Sequence, residues 1–446
     1  MESGFVDILT VYSDREKELN TDFLSTVYAD REKLRSYVHQ LLFGRITDSL
    51  IENKSVLLKP NWVKHCEKPT DELCLCTHEH FILAVLEEVL SMQPKEVLLA
   101  DAPVNLCRWE ELLSKNFLEE VDNLQSKYNT EINIKDFRRT ISDFKTNTFI
   151  TNRVPMDEYV IFDVGDKSQL EPITNNEHRF RITNYDPDDM KNYHGHGMHK
   201  YCIARDFFDY DVVLTLPKMK THQKAGFTNA LKILVGINGD KDYLPHHRMG
   251  AANHGGDCYK DDSLLRRLSE WATDQKNRNL GNWKYWPYIV IAKGSWILSR
   301  PEPGMTLGAS WYGNDTIWRT VMDVQLIAQY GSVDKDGKGI INDERQRKVY
   351  SICDGIIGGQ GDGPLYPTPL PLGVMALSDN PYLMDVVGGS LLGINIDRIP
   401  MLHFAKNQTD IKSSEIRLNN QVINQDDLLS YTVNAQMPIG WVHYND

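Results

Sequence analysis

The chain has 446 residues, a formal net charge of −13 and no run rich in lysine and arginine, which argues against a protein that tracks a nucleic-acid backbone. Its hydrophobic fraction of 41% and charged fraction of 25% are typical of a globular protein with a sizeable core. It lacks a basic amino-terminal segment followed by an apolar stretch, and its seven scattered cysteines include no Cys-x-x-Cys pair, so we expect a cytoplasmic protein with reduced thiols and no membrane partner.

The first predicted elements are a strand, a helix and a second strand. Residues 55–59 form a short apolar run, residues 77–92 carry apolar side chains at helical spacing, and residues 96–101 form a second apolar run. Thr77 is the candidate N-cap of the helix. This order is the βαβ pattern, which predicts a parallel pair of strands.

The region from 103 to 200 carries weaker signals. Its strand candidates, at 131–134 and 159–163, stand between polar stretches. We expect this region to be an insertion, a subdomain or a peripheral α+β layer within one elaborated α/β domain that spans residues 1–446.

The remaining elements alternate between strands and helices. Residues 211–216 are continuous and rich in β-branched side chains, as in a strand buried on both faces. A helix is predicted to begin near Phe227 and Thr228. Further strands are predicted at 288–292, 350–353 and 373–377, and further helices at 318–330 and 382–392. The predicted fold class is α/β, with a mainly parallel sheet and helices on both faces.

Polar side chains follow several of these strands. Ligands of open parallel sheets bind beyond the carboxyl ends of the strands, where the loops converge. We therefore expect the residues at those ends to form one site. They are Lys59, Asn61, Asp101, Lys218, Lys220, His222 and Asp354.

Several features of this set favour an anionic ligand. Lys218, Lys220 and His222 share one face if the backbone there is extended. Thr228 and Lys232 share one face of the helix predicted to begin nearby, and a helix N-terminus attracts phosphate or carboxylate. Among the glycines of residues 354–364, Gly361 and Gly363 would let the main chain approach the ligand closely.

Histidines are concentrated in the middle of the chain, with seven of the 14 in residues 194–254. Three of them, His222, His246 and His247, are candidates for binding a divalent metal ion or for acid–base work. Their spacing matches no metal-binding motif, so both alternatives stay open.

Three blocks of the sequence resemble a known family. They are Leu57-Leu-Lys59-Pro-Asn61, residues 216–236 with Pro217-Lys-Met-Lys-Thr-His222, and residues 354–385 with Gly361-Asp-Gly363-Pro and Ser378-Asp-Asn-Pro. The chain is similar to the family catalogued as domain of unknown function 362. Many members carry a ferredoxin-like segment with Cys-x-x-Cys spacing, but this chain has none, so the resemblance does not imply a resident iron–sulfur cluster. It implies a fold and a site more than a reaction.

The sequence therefore predicts an enzyme that acts on a small molecule bearing phosphate or carboxylate, without indicating a reaction class. The expected catalytic residues are His222, Asp354 and Lys220. The expected substrate-binding residues are Lys59, Asn61, Asp101, Lys218, Thr228, Lys232, Gly361 and Gly363, and the expected metal ligands are His222, His246 and His247.

Two other hypotheses are kept. One is a metal- or anion-binding module without catalysis. The other is an accessory protein with Trp311, Tyr312 and Trp318 exposed at an interface. Homo-oligomerisation is left open by the sequence.

Overall fold

The computed structural model describes residues 3–143 and 148–445. The described strands are β1 (Phe5–Thr10), β2 (Ser55–Pro60), β3 (Glu96–Asp101), β4 (Glu131–Asp136), β5 (Ile141–Asp143), β6 (Thr148–Ile150), β7 (Tyr159–Asp163), β8 (Phe180–Arg181), β9 (His194–Gly195), β10 (Met198–Ala204), β11 (Val212–Leu216), β12 (Lys218–His222), β13 (Gly226–Thr228), β14 (His247–Arg248), β15 (Gly331–Val333), β16 (Gly339–Ile341), β17 (Val349–Asp362), β18 (Tyr366–Ser378), β19 (Glu415–Leu418) and β20 (Gln421–Val422). The described α-helices are α1 (Arg15–Glu18), α2 (Thr21–Ala29), α3 (Arg31–Leu42), α4 (Asp48–Ile51), α5 (Asp71–Cys74), α6 (Glu79–Ser91), α7 (Lys115–Tyr128), α8 (Pro187–Met190), α9 (Asp206–Asp209), α10 (Leu264–Arg278), α11 (Tyr285–Leu298), α12 (Ile317–Tyr330), α13 (Pro381–Leu391) and α14 (Pro400–Gln408).

One large mixed sheet organises the molecule. Its strands lie in the order β20-β19-β1-β18-β17-β11-β2-β3-β4. The five strands from β17 to β4 are parallel, β1 and β19 share their direction, and β18 and β20 run the opposite way. The first residues of β17 pair with β11 and its later residues pair with β12, which in turn pairs with β13. The predicted mainly parallel sheet is confirmed.

Helices cover both faces of this sheet because its central strands are apolar on both sides. In β2, Val56 and Leu58 pack into one hydrophobic core with α2, α3, α6 and α7, whereas Leu57 packs into a second core with α12, α13 and α14. Alternate residues of a strand point to opposite faces, so one continuous apolar run can supply both cores. The α/β fold class is confirmed.

The βαβ unit that opens the sheet is confirmed, but its helix begins differently from the prediction. His78, rather than Thr77, is the N-cap of α6, and its ring accepts a hydrogen bond from the backbone N–H of His80. The Thr77 hydroxyl instead donates to the carbonyl oxygen of Leu216 at 2.5 Å and accepts from the backbone N–H of Asn61 at 2.9 Å. Thr77 therefore ties together the ends of β2 and β11.

Two predicted elements are wrong. Residues 288–292, predicted as a strand, lie inside the helix α11. The helix predicted to begin near Phe227 and Thr228 is the short strand β13, and the backbone becomes helical only in the 3₁₀ segment Lys232–Ile237. Short apolar runs fit a strand or a buried helix equally well by periodicity, so packing decides between the two.

The region from 103 to 200 contributes both to the main sheet and to smaller sheets. Its β4 pairs with β3 at the edge of the main sheet. Further along, β7, β10 and β9 form a small antiparallel sheet, and β8 pairs with β14. These sheets are consistent with the expected α+β layer, and the division into one domain with an insertion stays a prediction. None of the described helices is long and apolar enough to cross a membrane.

Candidate functional site

A cavity of about 600 Å³ lies beyond the carboxyl ends of β2, β3 and β11. This volume is in the range of small-molecule sites. Its walls come from the residues that follow those strands, from the loop between β13 and β14, and from α10. The predicted site residues that line it are Asn61, Asp101, Lys220, His222, Thr228, Lys232, His246 and His247. Residues widely separated in the sequence thus meet around one space.

Five predicted site residues do not line this cavity: Lys59, Lys218, Asp354, Gly361 and Gly363. Lys218 and Asp354 are fully buried and form an ion pair, with Nζ 2.9 Å from Oδ2. Asp354 also accepts hydrogen bonds from the Tyr28 hydroxyl at 2.5 Å and from the backbone N–H of His78 at 3.0 Å. With these partners, the pair anchors β12 to the sheet behind the cavity.

A second buried ion pair forms part of the cavity floor. Lys59 Nζ lies 2.8 Å from Asp101 Oδ1, and Asp101 Oδ2 accepts the backbone N–H of Trp62 at 2.8 Å. Burial lowers the pKa of the Lys59 ammonium, and the Asp101 carboxylate opposes that shift. A Cβ atom at Gly236 would lie 1.9 Å from Asp101 Oδ1, so this position admits only glycine while the pair is in place.

Five lysines face the cavity without an ion-pair partner among the residues that the structure describes: Lys276 on α10, which donates to Asn184 Oδ1 at 3.2 Å, and four others. We call Lys220, Lys224, Lys232 and Lys241 the lysine cluster. Lys220 Nζ donates to the carbonyl oxygen of Leu75 at 2.5 Å, and Lys241 Nζ donates to that of Asn238 at 3.0 Å. Lys224 and Lys232 make no hydrogen bond to a described residue through their ammonium groups.

Burial and mutual repulsion make the lysine cluster easier to deprotonate. Burial lowers the pKa of Lys220, Lys224 and Lys241 to about 8. The pKa of Lys232 falls to about 7, because burial acts on it together with the charges of Lys220, Lys241 and Lys224. The cavity therefore holds several like charges, and a bound anionic ligand would reduce the repulsion between them.

The acidic side chains that line the cavity are already paired. Glu67 lies 2.8 Å from Lys64 Nζ, Asp101 is paired with Lys59, and Asp274 lies 3.0 Å from Arg181. In the described lining, no carboxylate is left to neutralise the lysine cluster. The cavity is electropositive although the whole chain is acidic.

Two histidines of the cavity are fixed in opposite tautomers. Nδ1 of His222 accepts the backbone N–H groups of Lys224 at 3.0 Å and Ala225 at 3.1 Å, so the ring proton lies on Nε2. Nδ1 of His246 lies 2.7 Å from the carbonyl oxygen of Leu244 and donates to it, which leaves a lone pair on Nε2. Burial and the neighbouring lysines hold the pKa of both rings well below 6.5, so both are neutral at neutral pH.

The expected metal ligands do not form a cluster with the usual donors. No described group of three or more histidine, cysteine, aspartate or glutamate side chains is placed to hold a metal ion. The neutral ring of His222 has no free lone pair, because Nδ1 accepts two hydrogen bonds and Nε2 carries the proton. Nδ1 of His247 is buried and has no hydrogen-bond partner in the described residues.

The helix N-terminus expected to contribute to the anion cradle is absent, since no α-helix starts at Thr228 in the described chain. Thr228 is instead opposite Lys220 in the β12–β13 pair. The backbone that follows is held by Asp385, whose Oδ1 accepts the N–H of Ala230 at 2.8 Å. Burial raises the pKa of Asp385 well above its usual range. The strand pair and Asp385 thus replace the expected helix in orienting Lys232.

Sequence reasoning missed several cavity residues, among them Lys224, Lys241 and Lys276. A signal existed for Lys224, which follows Lys220 and His222 at the same two-residue spacing. Lys276 comes from α10, and Lys241 from the irregular loop before β14. Neither carries a local sequence signal that links it to the strand ends.

Comparison with known proteins identifies the family. The model of the family described as Domain of unknown function (DUF362) matches residues 162–390, just over half of the chain. This range contains two of the three blocks that suggested the resemblance, and the block at 57–61 lies outside it. No curated protein and no solved structure matches the chain. The chain belongs to the DUF362 family.

Proposed function

We propose that this protein is an enzyme that acts on a small molecule bearing two or more phosphate or carboxylate groups, held in the cavity beyond β2, β3 and β11. The observation that carries the proposal is the lysine cluster, which faces one cavity without a paired carboxylate in the described residues. Buried like charges are costly unless a counter-charge is supplied, and a bound polyanion supplies it.

The apolar residues of the cavity lining indicate what the ligand contains besides its anionic groups. Trp62, Val104, Ile182 and Leu244 contribute apolar surface between the charged groups. Such surface suits a carbon skeleton, whereas an inorganic anion alone would leave it in contact with water. The proposed ligand is therefore an organic molecule with anionic groups spaced to meet Lys232 and its neighbours.

His222 and His246 are the proposed proton-handling groups. His222 can donate a hydrogen bond through Nε2–H, and His246 can accept a proton at Nε2 while the Leu244 carbonyl holds its ring. Lys220 binds the anion, and Asp354 keeps Lys218 and β12 in place from behind the cavity.

A thermal-shift panel tests the binding part of this proposal. We expect the melting temperature to rise with the charge of the added anion, from acetate to inorganic phosphate to the polyanions citrate and pyrophosphate. The rise should be lost in Lys232→Met and kept in Lys412→Met, which removes an exposed lysine far along the chain. An equal rise in both variants would show that the anions act elsewhere.

Catalysis is tested separately, because a non-catalytic binding module would pass the binding test. Wild type and His246→Gln are incubated with pools of phosphorylated and carboxylated metabolites, and turnover or deuterium incorporation from heavy water is followed by mass spectrometry. We expect a change in the wild-type sample that His246→Gln lacks. Polyanion binding with no change in any pool would favour the module over the enzyme.

A further inference from the structure

The hairpin of α10 and α11 exposes an unusually large apolar surface. Val290 is 70% exposed and Ile297 is 71% exposed, and Trp283, between the two helices, is 72% exposed. We call the exposed apolar side chains of the two helices the hairpin face. They are Leu264, Leu265, Leu268, Trp271, Trp286, Val290, Ile291, Ile297 and Leu298.

The two helices present this face together. Ser269 Oγ donates to the carbonyl oxygen of Ala292 at 2.6 Å, and the ring of Trp271 packs edge-on against Tyr288 at 5.7 Å. On α11, Val290 lies four residues after Trp286 and Ile297 lies seven residues after Val290, so the three lie along one side of the helix. Many exposed apolar side chains on two packed helices indicate an interaction site.

The charge around the hairpin face identifies the partner. Residues 275–301 contain five basic residues and no acidic residue; Lys276 lines the cavity and Arg278 pairs with Asp188, which leaves three basic residues at the hairpin face. Within the described structure, the side chains of Lys284, Lys293 and Arg300 have no ion-pair partner. Lys293 lies between Val290 and Ile297 on the exposed side, where its ammonium group can reach past the apolar side chains to an anionic headgroup.

We propose that the hairpin face lies on the surface of a lipid bilayer that contains anionic lipids. Tryptophan, apolar side chains and lysine on one surface are the combination found in helices that rest in the headgroup region. The 14 residues of α11 span about 21 Å, less than the roughly 30 Å of a bilayer's hydrocarbon core, so the helix would lie in the interface plane. This proposal replaces the sequence-based expectation of no membrane partner.

A second copy of the chain fits the hairpin face less well. A symmetric dimer would set the same patch against itself and bring Lys284, Lys293 and Arg300 of each copy close to one another. Like charges at an interface oppose association, whereas anionic headgroups attract the same residues.

The proposal is tested by vesicle flotation of the full chain. Vesicles of phosphatidylcholine are compared with vesicles of phosphatidylcholine and phosphatidylglycerol in about a 3:1 ratio. We expect the wild type to float with the anionic vesicles and to bind them about tenfold more weakly after Val290→Glu. Val422→Glu is the matched control, since Val422 is 69% exposed on β20, and it should bind like the wild type.

A double variant tests whether the basic side chains contribute to vesicle binding. Lys284→Gln together with Lys293→Gln should reduce the preference for anionic over neutral vesicles while the thermal melt stays unchanged. Failure of the wild type to float with either vesicle, or equal binding by Val290→Glu, would overturn the proposal. A concentration-dependent dimer in sedimentation velocity that Val290→Glu abolishes, without vesicle binding, would assign the hairpin face to a second copy.

Discussion

Nδ1 of His222 accepts the backbone N–H of Lys224 at 3.0 Å. This contact places the ring proton on Nε2, and it also turns the chain so that His222 and Lys224 both line the cavity. His246 has the opposite tautomer, because its Nδ1–H is held by a carbonyl oxygen. The cavity therefore offers a ligand one neutral imidazole donor and one neutral imidazole acceptor.

These tautomers can be observed directly. In protein labelled with ¹⁵N-histidine, we expect His222 to show protonated Nε2 and His246 to show protonated Nδ1, with neither ring titrating between about pH 6 and 8. Their signals are assigned by their loss in His222→Gln and His246→Gln. A ring that titrates near its ordinary pKa would contradict the buried, electropositive setting.

The buried pair behind the cavity predicts a stability effect. Asp354→Asn leaves the Lys218 ammonium buried without its carboxylate, so we expect the free energy of unfolding to fall by about 3–5 kcal/mol. Adding Lys218→Met should cost less than the sum of the two single changes. The control is Asp397→Asn, which breaks the exposed contact to Lys406 and should cost less than about 1 kcal/mol. Additive costs in denaturant titrations would show that the two groups act independently.

Gly236 provides a test of the cavity floor. A Cβ atom there would lie 1.9 Å from Asp101 Oδ1 and 2.7 Å from Lys59 Nζ, so Gly236→Ala should cost about 1–3 kcal/mol and weaken anion binding. Gly195→Ala is the matched control, because a Cβ atom at Gly195 meets no atom within 4 Å. Equal melting temperatures for the two variants would mean that the residues of the cavity floor accommodate the added methyl group without a loss of stability.

Local patterns predicted much of this fold. The strands at 55–59, 96–101 and 211–216 and the helix at 77–92 were recognised because their apolar spacing is strong and local. The carboxyl-end rule then brought Asn61, Asp101, Lys220 and His222 to one cavity. These elements, and the meeting of these four residues at one cavity, could be predicted from the order of the elements along the chain.

The remaining features depend on contacts between distant residues. Residues 288–292 are β-branched and aromatic, as in a strand, yet they form a helix that packs on α10 through contacts such as Ser269 with the Ala292 carbonyl. The strand predicted at these residues gave no indication of the hairpin face. The aromatic residue Trp311, expected at an interface, is buried, and its indole N–H donates to the carbonyl oxygen of Asp257.

The lowered pKa of Lys232 predicts a pH-dependent stability difference. Between about pH 7 and 10.5 the unfolded chain binds this proton and the folded protein does not, so the free energy of unfolding rises with pH across that window. Lys232→Met removes this dependence. We therefore expect the variant's stability relative to the wild type to be greatest near pH 6 and to decline toward pH 9, as measured by denaturant titration in a buffer without polyvalent anions. A stability difference that is independent of pH would contradict the lowered pKa of Lys232.

Anion binding by the lysine cluster is tested most directly by isothermal titration calorimetry of pyrophosphate into the wild type and Lys232→Met. We expect one binding event per chain in the wild type, weaker at high salt, accompanied near pH 8 by proton uptake as the lysine cluster becomes fully charged. We expect at least about tenfold weaker binding in Lys232→Met. Wild-type binding without proton uptake, or equal affinity in the variant, would contradict an anion site at the lysine cluster.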